Sequence, residues 1–260
     1  MIPLKDDIPT RRFPILTVAI IVACCFVYFV FEHGGWGLGS TGNERVADYG
    51  AIPYEITHPG KECGQTADGQ VVCEGQEGVS GTAPDQPPWW ITIFTSMFLH
   101  GSLLHLAGNM LFLWIFGNNI EDSMSRWRFA LFYVLGGLIA VYAQTLIDAD
   151  AAVPTVGASG AIAAVLGGYA LLYPRARVVT VIFVIIFFTV IELPALLVLG
   201  FWALLQLFLG ATDLTSPSGG QGGVAYFAHI GGFAFGLLAI KLFANRVYED
   251  YDRAHRLPVY

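Results

Sequence analysis

Charge is what this chain has least of. Lys, Arg, Asp and Glu together make up 13 % of its 260 residues, against roughly 25 % in a soluble globular domain. A water-soluble domain is therefore excluded. No basic patch interleaved with aromatics occurs anywhere, so a nucleic-acid partner has no support. Cysteine is sparse as well, with four in all and no C-x-x-C pair. No H-E-x-x-H is present either, and the reading is that the chain holds no metal. A cleavable signal peptide is not expected. The apolar stretch 13–31 is too long for a signal h-region, lacks a small-residue cleavage site, and reads as a retained first span.

Hydrophobic residues are abundant, at 55 % of the chain with a mean hydropathy of +0.60. A hydrocarbon core of about 30 Å takes around 20 helical residues. Six stretches meet or approach that length: 13–31, 95–117, 129–147, 157–173, 193–210 and 224–244. Lipid offers the backbone no hydrogen-bond partners, so each span must be helical. The expected fold is an all-α, six-helix polytopic membrane bundle. The apolar run 178–191 is only fourteen residues long and reads as an interfacial or re-entrant segment, not a seventh span.

Basic residues set the orientation. With six spans, eleven of the thirteen Lys and Arg residues fall on one side, leaving Arg45 and Lys61 in the loop after span one. Both termini are then cytoplasmic. The expected divisions are a cytoplasmic N-terminus (1–12), the first transmembrane helix (13–31), an extracytoplasmic loop (32–90), a core (91–244) and a cytoplasmic tail (245–260). The loop carries nine acids against two bases. Cys63 and Cys73 flank a turn-like Ala67-Asp68-Gly69-Gln70, and an exported loop permits them to form a disulfide. The other reading is two free thiols. Cys24 and Cys25 lie within span one as packing residues.

Polar side chains in hydrocarbon cost roughly 1 to 3 kcal/mol each and need a reason to be there. Three groups stand out: His100, His105 and Asn109 in span two, Gly157-Ala158-Ser159-Gly160 opening span four, and His229 early in span six. A serine at a helix start is by itself an ordinary cap. The same place suits a nucleophile, because free N–H groups and the helix dipole stabilise an oxyanion. Serine needs a base to take its proton, and His229 starts from the same membrane face as Ser159. Small residues at four-residue spacing, Gly160, Ala164 and Gly168 against Gly231, Gly232 and Gly236, allow spans four and six to pack closely. At 100° per residue His105 and Asn109 share a helix face, whereas His100 sits about 140° from His105 and anchors a neighbouring loop. No carboxylate is placed as a third member: Asp148, Asp150 and Asp213 read as loop residues. The constellation reads as a Ser–His dyad oriented by packing.

These residues resemble the rhomboid intramembrane serine proteases from about residue 90 to 244. The pattern H-x-x-x-x-H-x-x-x-N falls at His100, His105 and Asn109. It is followed by G-x-S-G at Gly157–Gly160 and A-H-x-x-G-x-x-x-G from Ala228 through Gly232 to Gly236. The resemblance implies a six-helix core with a water-filled cavity open to the outer face. It also implies Ser159 as nucleophile, His229 as general base, and His105, Asn109 and the Ser159 N–H as oxyanion hole. Glu121 matches a family acid at the cytoplasmic end of span two. No cofactor is implied, the partners are transmembrane protein substrates within the lipid bilayer, and the expected location is a bacterial plasma membrane. Two departures stand out. Trp89-Trp90 lacks the arginine many members place in the first loop, and Ala163 stands where some members stack an aromatic on the histidine. A non-catalytic relative that binds membrane clients is the alternative. A transporter ranks lower, for want of an internal repeat.

Overall fold

The computed structural model describes residues 1–33, 42–66, 68–83, 86–184, 187–215 and 224–245. The expected tail from 246 onward, with Arg246, Arg253 and Arg256, lies outside them, as does Ala67 of the expected turn. Among the described residues five helices are long and apolar enough to cross a membrane: α1 (Ile15–Glu32), α5 (Leu103–Ser123), α6 (Arg126–Ile147), α8 (Ala195–Leu214) and α9 (Tyr226–Phe243). A shorter apolar helix, α7 (Ser159–Leu172), sits among them. At about 1.5 Å per residue its fourteen residues reach only ~21 Å. Where six spans were expected, the described residues thus give five helices of spanning length and one shorter apolar helix.

Burial separates α7 from the rest. Every residue from Gly160 to Ala170 is buried, whereas α8 presents Leu196, Leu197, Phe201, Leu204 and Phe208 outward. A helix apolar all round and covered on every side is a central one. Its neighbours approach it through glycine. A Cβ at Gly232 would stand 2.1 Å from the Gly160 carbonyl oxygen, and one at Gly236 would stand 2.0 Å from that of Ala164. The backbones of α7 and α9 are thus in direct contact, as the four-residue spacing predicts. Gly231 is the exception. It turns away from α7, toward Ala143 of α6.

The helix starts are secured by specific acceptors. Glu121 accepts the N–H of Leu16 at 3.1 Å and of Thr17 at 2.8 Å, and the Thr17 hydroxyl at 2.9 Å. Its carboxylate therefore satisfies orphan donors in the first turn of α1 and complements that helix's dipole. In α5 the Ser102 hydroxyl accepts the His105 N–H at 3.1 Å. Span two begins at Leu103, not residue 95. A separate short helix, α4 (Trp89–Thr95), and a turn precede it.

The all-α expectation needs correcting. The described residues of 178–191, expected as an interfacial or re-entrant segment of an all-α fold, are not helical. Strands β4 (Arg177–Val184) and β5 (Phe187–Pro194) make an antiparallel hairpin, and β1 (Ile2–Asp6) pairs along β4 in the order β1-β4-β5. The physical reason lies in composition. VVTVIFV and FFTVIELP are dense in β-branched and aromatic residues, which fit a pleated surface better than a helix. Asp6 pins this sheet to the bundle, accepting from Tyr169 Oη at 2.6 Å and Asn119 Nδ2 at 2.5 Å.

The segment after α1 folds into a small module: α2 (Gly42–Tyr49), α3 (Pro53–Thr57), β2 (Cys63–Gln65) and β3 (Val71–Cys73). Cys63 and Cys73 face each other across the hairpin and are disulfide-bonded. Glu55, only 5 % exposed, accepts the Cys63 N–H at 2.9 Å. Burial pushes its carboxyl up to about 7, with Glu62 and Asp48 adding to the rise and the Cys63 N–H opposing it. A carboxyl raised in the fold favours the native state while protonated. Its contribution is therefore complete below about 4.5 and is lost as pH climbs through 7. Glu55→Gln keeps the acceptor and removes the ionisation. Thermal unfolding at pH 5.5 and 8.5 should show the variant gaining on the parent chain more at the higher pH.

Candidate active site

Ser159 is the first helical residue of α7, preceded by Ala158 at the cap position with no side-chain cap bond. Its hydroxyl is thus not engaged in capping the helix. It lies 2.7 Å from Nε2 of His229, the fourth residue of α9. The glycine contacts explain the meeting. Gly160 follows Ser159 directly and Gly232 is one turn beyond His229, so the closest approach of the two backbones falls beside the two side chains.

The other ring nitrogen of His229 also has a partner. Nδ1 lies 2.8 Å from Oε1 of Gln206 on α8. An amide oxygen only accepts, so Nδ1 carries the proton and the Nε2 lone pair is left to accept from the Ser159 hydroxyl. The Trp202 ring, one turn before Gln206, packs against the imidazole at 5.7 Å between centroids. Ala163 is buried with no room left around it, and the aromatic neighbour comes from α8 instead. To the packing expected around His229, α8 thus adds a hydrogen bond and a ring. Gln206 and Trp202 escaped sequence reasoning. The signal was present, since Gln206 is the one amide side chain in the apolar run from 195 to 214, and a polar residue in a span calls for a partner.

Gly157 has φ of +119°, and a Cβ there would meet His105 Cε1 and Nε2 at 2.8 Å. Both facts require glycine. Its N–H donates to Ser96 O at 2.8 Å, fixing the turn that leads into α7. Asn109 approaches the same point, with Nδ2 3.5 Å from that Cβ position. This Nδ2 is buried and bonds to no described residue. A dipolar donor thus faces the turn before Ser159. His105 and Asn109 sit one turn apart on α5 as expected. His100 does not follow the expected geometry: it lies in the turn before α5, its N–H donates to Glu32 Oε1 at 3.0 Å, and its ring meets that of His105 edge-on at 5.3 Å. Asp213, expected in a loop, belongs to the last turn of α8.

Ser159, His229, His105, Asn109 and Gly157 all line one open cavity of about 950 Å³. Its walls also include Pro53 and Val71 of the disulfide module and Ala151 to Val156 of the segment leading to Ser159. The module braces that segment. Ala51 and Thr155 exchange both backbone hydrogen bonds, and the Tyr54 N–H donates to Ala151 O. Among the described residues no group of His, Cys, Asp and Glu is arranged to hold a metal ion.

A membrane-spanning helical bundle with a serine and histidine hydrogen-bonded in a cavity between its helices is the class this fold and site define. The rhomboid domain family matches residues 87–246, more than half of the chain, and the protein belongs to that family. It is similar to rhomboid protein 1, mitochondrial, of Saccharomyces cerevisiae, 33 % identical over 97 residues, covering 36 % of this chain and 28 % of the relative. It is likewise similar to rhomboid protease GluP of Bacillus subtilis, 29 % identical over 160 residues, covering 62 % of this chain and 24 % of the relative. A third relative, presenilin-associated rhomboid-like protein A, mitochondrial, of Danio rerio, is 28 % identical over 144 residues, covering 55 % of this chain and 34 % of the relative. The chain therefore spans about a quarter to a third of the length of these relatives.

Proposed function

We propose that this chain is an intramembrane serine endopeptidase that cleaves transmembrane segments of other membrane proteins. The observation that carries the reading is the 2.7 Å contact between Ser159 Oγ and His229 Nε2 inside an open cavity. Ser159 attacks the scissile carbonyl while His229 takes its proton, and the protonated imidazole then delivers that proton to the leaving amine. The charge developing on the carbonyl oxygen is met by the Ser159 N–H at the start of α7, by Asn109 Nδ2 and by His105. The Ser159 N–H is fixed by the start of α7 and need not reorganise during the reaction. Substrate helices hide their carbonyls in i to i−4 bonds and must unwind before attack. Glycine or proline near the cut lowers that cost by about 1 kcal/mol or more per residue.

The same reading places six spans across a bacterial plasma membrane with both termini cytoplasmic. The module 32–90 then lies outside, the core runs 91–244, and α7 counts as the short fourth span. Loss of the charged cap at Glu121 acts on folding, not chemistry, because its carboxylate serves the start of α1.

A fluorophosphonate probe tests the site. The purified chain should be labelled at Ser159, and both Ser159→Ala and His229→Ala should abolish labelling. Equal labelling of all three proteins would refute the assignment. Non-catalytic client binding, the rival reading, predicts no labelling of any of them.

Gln206 acts as a positioning residue in this scheme. Replacing it by leucine keeps the bulk but frees the imidazole tautomer, and should lower kcat about 10- to 100-fold with KM unchanged. Gln206→Glu should restore much of the rate and move the acidic limb of the pH–rate profile upward, since a carboxylate favours the imidazolium. A loss confined to KM, or a pH profile unmoved by glutamate, would leave Gln206 with a packing role only.

A further inference from the structure

The β4–β5 hairpin is built unlike a water-exposed sheet. An antiparallel sheet with one solvated face alternates apolar and polar side chains. Here residues 178–191 contain no charged residue, and their only polar side chains are Thr180 and Thr189. Register places Val179, Val181 and Phe183 on one face with Phe188 and Val190. Thr180 and Ile182 share the other with Phe187, Thr189 and Ile191. Both faces are thus apolar toward the tip.

Root and tip differ in what covers them. At the root Val178 and Thr180 are buried and Val178 joins the main core. Arg177 pairs with Glu192 at 3.3 Å across the base, and Asp7 accepts the Arg177 N–H. Beyond that point β1 borders β4 as far as Val181, and nothing described covers the tip or the outer edge of β5. Phe187 and Phe188 are 73 % and 70 % exposed, Phe183 is 59 % exposed, and the Phe183 and Phe188 rings lie 6.4 Å apart across the pair. A free apolar edge strand of this kind invites aggregation unless something occupies it.

Position identifies the occupant. The hairpin leaves the end of α7 opposite Ser159, and Pro194 runs without a linker into Ala195 of α8. From there the outward-facing Leu196, Leu197 and Phe201 continue the same apolar surface into the span. The exposed strands are therefore continuous with the lipid-facing side of the bundle, and the charges Arg175, Arg177 and Glu192 stand only at the root. Depth is limited by the backbone. An open strand edge cannot enter the hydrocarbon centre, but immersion by about 5–10 Å at the headgroup–acyl boundary is tolerated. At 3.3 Å per residue that depth takes in two or three residues of each strand if it stands upright, and about four if it lies oblique to the boundary. We propose that the outer half of this hairpin, with Phe183, Phe187, Phe188 and Val190, is seated in the headgroup–acyl boundary of the phospholipid leaflet remote from the Ser159 cavity.

This inference requires the membrane-spanning fold and not the protease reading. Its test uses the full chain in phosphatidylcholine liposomes, with Cys24 and Cys25 replaced by serine. A nitroxide is attached at Thr189→Cys or, in a separate protein, at Val190→Cys, which look to opposite faces and keep every phenylalanine. Power saturation should show collision with oxygen several-fold stronger than with water-soluble nickel chelate at both positions. Nickel collision as strong as that of oxygen at either position means a solvated hairpin and overturns the proposal. Dipolar broadening that disappears on dilution with unlabelled protein means that a second copy covers the strands, and overturns it equally.

Discussion

Cleavage of a transmembrane reporter should fall by about 10⁴-fold or more in Ser159→Ala, by a similar factor in His229→Ala, and no further in the double variant. Non-additivity follows from geometry. The two groups share one proton across 2.7 Å, so either loss stops the same step. What remains comes from the donors around the oxyanion position, which neither substitution touches. Folding should survive, because the Ser159 hydroxyl caps nothing. Initial rates in proteoliposomes, with matched thermal unfolding, give the comparison. Multiplicative losses would mean that serine and histidine act at separate steps.

A second large effect is expected far from any reacting atom. Gly232→Ala places a methyl carbon 2.1 Å from the Gly160 carbonyl oxygen, a backbone atom that cannot rotate aside. The helices must part, and overpacking of this kind costs about 1–3 kcal/mol. The ~1 kcal/mol that alanine gains in helix propensity does not offset it. Separation of α7 from α9 draws Ser159 from His229, and a misplacement of about 1 Å is enough to cost ~10²-fold in rate. Gly200→Ala is the matching control. That position on α8 has nothing within 4 Å, so the variant should be as active as the parent chain and equally or more stable. Comparable losses at both glycines would remove backbone contact as the cause.

Polar residues in apolar runs made much of the site legible. Ser159, His229, His105 and Asn109 stood out because polar side chains are costly in hydrocarbon, and the glycine spacing around 160 and 232 pointed to the close contact of α7 and α9. Gln206 and Trp202 were not legible in the same way. Which helix flanks His229 is a matter of tertiary arrangement, and one glutamine in a span names no partner. His100 was misjudged because angular reasoning assumed a continuous helix from 95, whereas the chain turns before Leu103. The strands of the hairpin were not legible, because a fourteen-residue apolar run lacks the alternation that betrays a strand. When both faces are apolar the period-two signal vanishes.

The most direct measurement is a structure of the chain in lipid nanodiscs after reaction with the fluorophosphonate. Phosphorus should be bonded to Ser159 Oγ, with its oxygen within hydrogen-bond distance of the Ser159 N–H and Asn109 Nδ2, and His229 still joined to Gln206. An adduct on any other residue, or Ser159 and His229 turned to separate compartments, would contradict the Ser159–His229 assignment.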